Sequence, residues 1–228
     1  MILAFDCSQI QAIVCLLDSN FNLVDSLRGS TSIAHSEGLM ALVDSLLKRN
    51  QIDENNLDKI NGIGVGIGPG SFTGLRIGVA TARAFAQAIS LKCTKKIPVY
   101  PFSSLQALEL SQKRSDSQVI IVANNAYQGQ LFIRFNHQDL ASEPSVWIQQ
   151  SLKKEQEYLV CGGAADSFLE ASKLYNVKKS SQNEITAEAI ALCVKLTESA
   201  DYQKVLPNYI RPSQAEIKLA ELAPKNQA

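Results

Sequence analysis

Apolar residues along this chain follow two alternating rhythms. Residues 1 to 6 (MILAFD) and 10 to 17 (IQAIVCLL) are short apolar runs, and residues 22 to 28 offer a third, as strands buried on at least one face do. Short polar breaks at Ser8-Gln9 and at Asp18-Ser19-Asn20 predict tight turns, so the chain opens on a three-stranded antiparallel meander. From Ser36 to Lys48 the spacing changes to Leu39, Leu42, Val43, Leu46 and Leu47, the i, i+3, i+4 repeat of an amphipathic helix, with Ser36 placed to cap it. Residues 60 to 67 (INGIGVGI) return to strand character, a glycine-rich turn follows, and Gly74 to Ser90 reads as a longer helix.

Pro98 and Pro101 bracket a short extended piece, after which the alternation restarts. A helix is predicted over 102–112, strands over 118–123, 130–135 and 157–161, and helices over 164–174 and 186–199. The pattern implies an α/β protein of two βα lobes in tandem, residues 1–100 and 101–228, the second closing on a polar tail from Arg211 onward. No period of 20 to 50 residues is present, which argues against a solenoid.

Composition narrows the function. With 46% hydrophobic residues in 228, the chain can bury a substantial core. Lys plus Arg and Asp plus Glu both total 22, so the chain as a whole carries no field that would attract a polyanion, although Lys92, Lys95 and Lys96 sit close together and could form a local basic patch. Cys7, Cys15, Cys93, Cys161 and Cys193 are odd in number, with no C-x-x-C pair, and read as reduced, mostly buried residues. Asp6 interrupts the first apolar run before a signal core could form, and no run reaches the length of a membrane span, so a cytoplasmic protein is expected.

The chemistry-bearing segment is the turn at Gly66, Gly68 and Gly70, which leads through Ser71-Phe72-Thr73 into the helix. Bare N–H groups at a helix N-terminus, with the Ser71 and Thr73 hydroxyls and Asp6 nearby, could hold an anion or a nucleotide phosphate. Equally, the glycines could serve the turn alone while Ser71 or Thr73 caps the helix; the lysine of a G-x-x-x-x-G-K-[ST] loop is missing. Asp6 could hold a metal-bound water or pin its own turn. In the helix, Gly74, Gly78, Ala82 and Ala86 recur every fourth residue and make one side nearly flat, while Leu75, Ile77, Val79, Ala84 and Phe85 cover much of the rest and leave a thin polar stripe of Arg76, Arg83 and Gln87. A helix apolar nearly all round must be covered on more than one side. The expected partner interface is Gly74, Ile77, Gly78 and Ala82 together with Leu39, Leu42, Val43 and Leu46 of the preceding helix.

The run GVGIGPGSFTGLRIGVATARAFAQ over residues 64–87 resembles the signature of the TsaB family, and ILAFDCS, AHSEGLM and LPNYIRP agree with it in order along nearly the whole chain. The resemblance implies a two-lobed actin-like ATPase (ribonuclease H-like) fold with mixed sheets. It also implies a role in making threonylcarbamoyladenosine in tRNA: TsaC forms the threonylcarbamoyl-adenylate, the paralogue TsaD transfers the group, and TsaB binds TsaD and helps to admit the ATPase TsaE. A TsaB–TsaD heterodimer, a homodimer when TsaD is absent, and only indirect contact with tRNA are therefore expected. No resident cofactor is implied, with ATP or ADP admissible in the assembled complex.

Catalytic relatives hold a metal through an H-x-x-x-H pair, whose spacing places both imidazoles on one helical face. Here His35 is followed four residues on by Leu39, and the other histidine is His137, so a non-catalytic subunit is expected, and a peptidase is not. Asp6-Cys7-Ser8-Gln9 departs from the D-x-G-x-[ST] phosphate loop of actin-like ATPases, and Asn124-Asn125-Ala126-Tyr127 stands where family members more often carry Asp-Ala-Arg. Gly162-Gly163 corresponds to an adenosine-contacting turn, or simply ends a strand. The alternative is a stand-alone ATP-dependent kinase or hydrolase using a cleft between the lobes.

Overall fold

The computed structural model describes residues 1–29, 36–113 and 115–210. His35, the side chain of Ser36 with its capping role, and the tail from Arg211 lie outside the described residues.

The opening meander forms as its pattern dictates. Strands β1 (Ile2–Asp6), β2 (Ile13–Leu17) and β3 (Leu23–Arg28) pair antiparallel in sequence, with Ala4 opposite Cys15 and Cys15 opposite Ser26. Helix α1 (Ser36–Arg49) crosses back, and β4 (Gly62–Gly66) joins β1 in parallel. Helix α2 (Phe72–Cys93) then returns the chain to β5 (Val99–Phe102), parallel to β4. The extended piece at the two prolines is this edge strand, a place where a missing N–H donor is tolerated. The sheet order is β3-β2-β1-β4-β5.

After α3 (Ser104–Leu110) the same topology is built again. Strand β6 (Gln118–Asn125) pairs antiparallel with β7 (Leu131–Phe135), which pairs with β8 (Gln138–Ser142); β6 also runs parallel to β9 (Glu157–Cys161), and β9 to β10 (Val177–Lys179). Helix α4 (Pro144–Ser151) precedes β9 and α5 (Ala165–Ala171) follows it. Helix α6 (Ala187–Leu196) leaves the second sheet and packs on β1, β2, β3 and β5 of the first, and Ala200 bridges to Val99. Strand β8, helix α4 and strand β10 were not expected from the sequence. They are short, and β8 and β10 are half-exposed edges without a clean apolar alternation.

Three apolar cores stack between these layers. Leu3, Phe5, Val14 and Leu16 face α1 and α2; Ile2, Ala4, Cys15 and Leu17 face α3 and α6; Ile121, Ile133 and Val160 face α4 and α5. The middle core also takes Ile120, Val122 and Cys161 from the second sheet, so α3 and α6 are shared between the halves. Among the described residues no helix is long and apolar enough to cross a membrane.

Candidate functional site

A cleft of about 680 Å³ opens between the sheets, at the carboxyl ends of β1, β4, β6 and β9. In open α/β sheets this is where ligands bind, because loops diverge there and leave backbone groups accessible. One wall is the loop after β1, residues 7–12, with Gly70, Ser71, Gly74 and Ile77 at the start of α2. The other holds Asn124, Asn125 and Tyr127 after β6, Gly163 after β9, and Asn183 and Glu184.

Asp6 ends β1 beneath the first wall and is only 1% exposed. Its Oδ1 accepts from the Ser8 N–H at 2.8 Å and the Ser8 hydroxyl at 2.6 Å, and its Oδ2 accepts from the Ser104 hydroxyl at 2.6 Å. Burial raises its pKa above the ordinary carboxylate range, and these bonds offset that only in part. A Cβ on Gly66 would overlap Asp6 Oδ2 and lie 2.7 Å from its Cγ, so the strand beside Asp6 must carry glycine there.

The predicted anion residues gather around the same corner. The Gly68 N–H donates to Ser104 Oγ at 3.2 Å, the Ser71 N–H to the Ser8 carbonyl at 2.9 Å, and the Gly74 N–H to Ser71 Oγ at 3.2 Å. Ser71 is thus the N-cap of α2. Gly70 lies against Ser8, and Thr73 is exposed on the first turn without lining the cleft. Three of the turn's donors therefore already have acceptors within the chain, and the Asp6 oxygens are turned to hydroxyls and not to the cleft.

The second wall is uncharged at the matching place. Asn124 Oδ1 accepts from the Gly163 N–H at 2.8 Å, and Asn125 Oδ1 accepts from the Tyr127 N–H at 2.7 Å. Gly162, at φ 106°, donates its N–H to Asn183 Oδ1 at 3.0 Å.

The expected partner surface needs correction. Leu39, Val43, Leu46, Gly78 and Ala82 are buried inside this chain's own first core. The small-residue side of α2 lies on its own sheet: a Cβ on Gly78 would sit 3.6 Å from Cys7 and 3.9 Å from Val65. Small residues let that backbone approach β1 and β4, not a second protein. Leu42, Gly74 and Ile77 are partly exposed, and the outward face is carried instead by Met40 and Ala41 of α1 and Ala80, Ala84 and Ala88 of α2.

Other expectations fall into place locally. Lys92 and Lys95 donate to the Glu54 and Asp58 carbonyls, and Lys96 lies 3.5 Å from Asp201, so the basic group is spent on intrachain bonds. Cys7, Cys15, Cys161 and Cys193 are buried free thiols and Cys93 is partly exposed; burial pushes Cys161 and Cys193 up to about 12, so they stay protonated. His137 sits in the β7–β8 turn at φ 65°. Among the described residues no three His, Cys, Asp or Glu side chains group as metal ligands.

Sequence reading missed Ser104, Gln9, Arg28 and Asn183 at this site, and the buried Arg134, whose guanidinium meets Glu109 at 2.6 Å and Asp139 at 2.7 Å. Gln9 appears in sequence only as part of the Asp6-Cys7-Ser8-Gln9 run and the others in no local motif, and each acts on a residue distant in sequence or in another element.

The family model described as TsaD, tRNA N6-adenosine threonylcarbamoyltransferase, matches residues 29–206. The tRNA threonylcarbamoyladenosine biosynthesis protein TsaB of Bacillus subtilis is 27% identical over 92% of this chain and 98% of its own length. TsaB of Buchnera aphidicola is 34% identical over 40% of this chain and 38% of its own. YeaZ from Pseudomonas aeruginosa superposes with a TM-score of 0.68 at 19% identity, covering 91% of this chain and 98% of that one. A Pseudomonas aeruginosa protein described as similar to the peptidase YeaZ superposes with a TM-score of 0.72 at 20% identity, covering 92% and 99%. The two superpositions bear on the fold and agree with the paired five-stranded sheets described above. The family model spans most of the sequence and the Bacillus relative nearly all of it, so the chain belongs to the TsaD family, on its TsaB branch, with the actin-like ATPase fold.

Proposed function

We propose that this chain acts in the cytoplasm in the synthesis of threonylcarbamoyladenosine in tRNA, as a non-catalytic subunit that binds a TsaD paralogue and helps to admit TsaE. The observation that carries the reading is the near full-length match to a curated TsaB. The site supports it: Asp6 is sealed under Ser8 and Ser104, and the Gly68, Ser71 and Gly74 N–H groups of the adjoining turn have acceptors within the chain. A ligand using those groups would have to displace these bonds first. Contact with tRNA then comes through the assembly, as zero net charge also suggests.

The partner surface in this reading is the outward face of α1 and α2, with Met40, Ala80 and Ala84 at its centre and Leu42 and Ile77 at its margin. Small exposed side chains on α2 let a partner helix approach closely, and the same face would pair two copies when TsaD is absent. The test is light scattering of this chain with TsaD. Wild type forms a heterodimer, and Ala84→Arg or Met40→Glu loses it while keeping its circular dichroism. Threonylcarbamoyl transfer to tRNA by the purified chain alone would overturn the reading. So would micromolar ATP binding weakened by Asp6→Asn, which the stand-alone kinase or hydrolase predicts.

A further inference from the structure

One wall of the cleft is tied to the other by two side chains that no phosphate or partner reading uses. Gln9, in the loop after β1, donates from Nε2 to the Asn183 carbonyl at 3.1 Å and accepts at Oε1 from the Ile185 N–H at 3.1 Å. A single planar amide thus pairs with the peptide edge of residues 183–185 as a neighbouring strand would. Arg28, at the end of β3, donates to the Ile185 carbonyl and lies 3.5 Å from the Glu184 carboxylate. The segment they hold is anchored on its far side to the second sheet, because Asn183 Oδ1 accepts from Gly162 at the end of β9 and the Ser180 N–H donates to the Val160 carbonyl. Ile185 itself is buried in the middle core.

We propose that Gln9 and Arg28 form a latch that fixes the width of the cleft in the unliganded chain. In a two-lobed protein, closure is ordinarily stabilised by whatever bridges the lobes, and a ligand that touches both walls is one such bridge. Here four contacts from the first half reach a segment rooted in the second, so the bridge is protein. Gln9, Arg28, Asn183 and Glu184 all line the cleft, which places the latch in the opening itself and not at a remote hinge. The walls then keep one separation with or without nucleotide, and the chain presents a constant shape to its surroundings.

The test measures wall separation directly. Spin labels at Thr73→Cys on α2 and Tyr127→Cys after β6, both exposed, report the distance across the cleft in the full-length protein with Cys93→Ser. The unliganded parent gives one narrow distance distribution. Gln9→Met, which keeps shape and removes both amide bonds without touching a charge, broadens the distribution or moves it to longer distance by several ångströms, and Arg28→Met does so independently. Gln11→Met, a cleft neighbour outside the latch, leaves it as in the parent. A Gln9→Met protein with native circular dichroism and the parent's distribution would overturn the proposal. So would a parent whose distribution is already broad, or an equal broadening in Gln11→Met.

Discussion

The two halves of this molecule are built to one plan and finished differently. Each sheet has two antiparallel strands leading to a central strand, then two parallel ones, and in each a glycine at or just past the end of the strand parallel to the central one presses against a polar side chain near the central strand's end. In the first half the pair is Gly66 on Asp6, and in the second it is Gly162 on Asn124. The geometry is common to both, but the first corner seals a carboxylate under two hydroxyls while the second presents a neutral amide to the cleft. The inner faces differ in the opposite sense. The first sheet gives the middle core Ile2, Ala4, Ile13, Cys15 and Leu17 and keeps its buried acid, Asp6, at the end of β1, whereas the second places Arg134 between Glu109 and Asp139. Backbone geometry is the shared requirement of the two corners, and the charges around it are exchangeable details of each half.

If that is right, the largest effects should come from the two glycines. Gly66→Ala puts a methyl into a carboxylate held by three hydrogen bonds, with Ser104 Oγ only 2.9 Å away. Gly162→Ala meets the Ala123 carbonyl from a backbone at φ 106°. Each should cost about 3 kcal/mol or more, as overpacking against groups that cannot move does. Urea unfolding read by circular dichroism checks this; a mild Gly162→Ala beside a severe Gly66→Ala would show that the corners are not equivalent.

Next in size is Arg134→Met. Removing a buried cation that two carboxylates face leaves both unpaired, at a cost of about 3 kcal/mol near neutral pH. Replacing Glu109, Arg134 and Asp139 together by Leu, Met and Leu would make the whole cluster apolar. The triple variant should unfold at nearly the wild-type midpoint, since apolar groups of similar volume often substitute for a buried ion cluster. A triple variant as weak as Arg134→Met alone would mean that the cluster does more than pair its own charges.

These features were unevenly legible in the sequence. The meander, both long helices and the strand pair around β6 could be read, because each buries one face and so carries a strong period. The Ser71 cap was among the alternatives the sequence offered, because its partner Gly74 lies three residues away. What α2 does with its small residues could not. Gly78 and Ala82 would look the same in sequence whether they faced a partner or, as they do, their own sheet. Asp6 was singled out, but its partner Ser104 is 98 residues away, and Gln9 reaches across 174 and 176 residues to Asn183 and Ile185. Contacts of that span follow from topology, and nothing in a local pattern marks them. The tandem of two βα lobes was legible, but how closely the second sheet repeats the first was not, because β8 and β10 are short, half-exposed edges.

The smallest expected effects come from exchanging the two corners' side chains. Burial raises the Asp6 pKa, so the native chain holds that proton more tightly than the unfolded chain does. The contribution of Asp6 to stability is therefore fully present below the unfolded carboxyl pKa and is lost as pH rises through the folded one. Asp6→Asn, which cannot ionise, should match wild type near pH 4 and overtake it as pH rises. The gain should be about 1 kcal/mol or less, because the amide keeps only part of the carboxylate's hydrogen bonding to Ser8 and Ser104. Asn124→Asp keeps an oxygen for the Gly163 N–H and, being partly exposed, should change stability by about 0.5 kcal/mol or less with little pH dependence. Paired unfolding curves at pH 4, 6 and 8 decide between the corners. A flat difference for Asp6→Asn would mean that Asp6 does not change charge between pH 4 and 8, and the sealed carboxylate would then contribute nothing to the pH dependence of stability in that range.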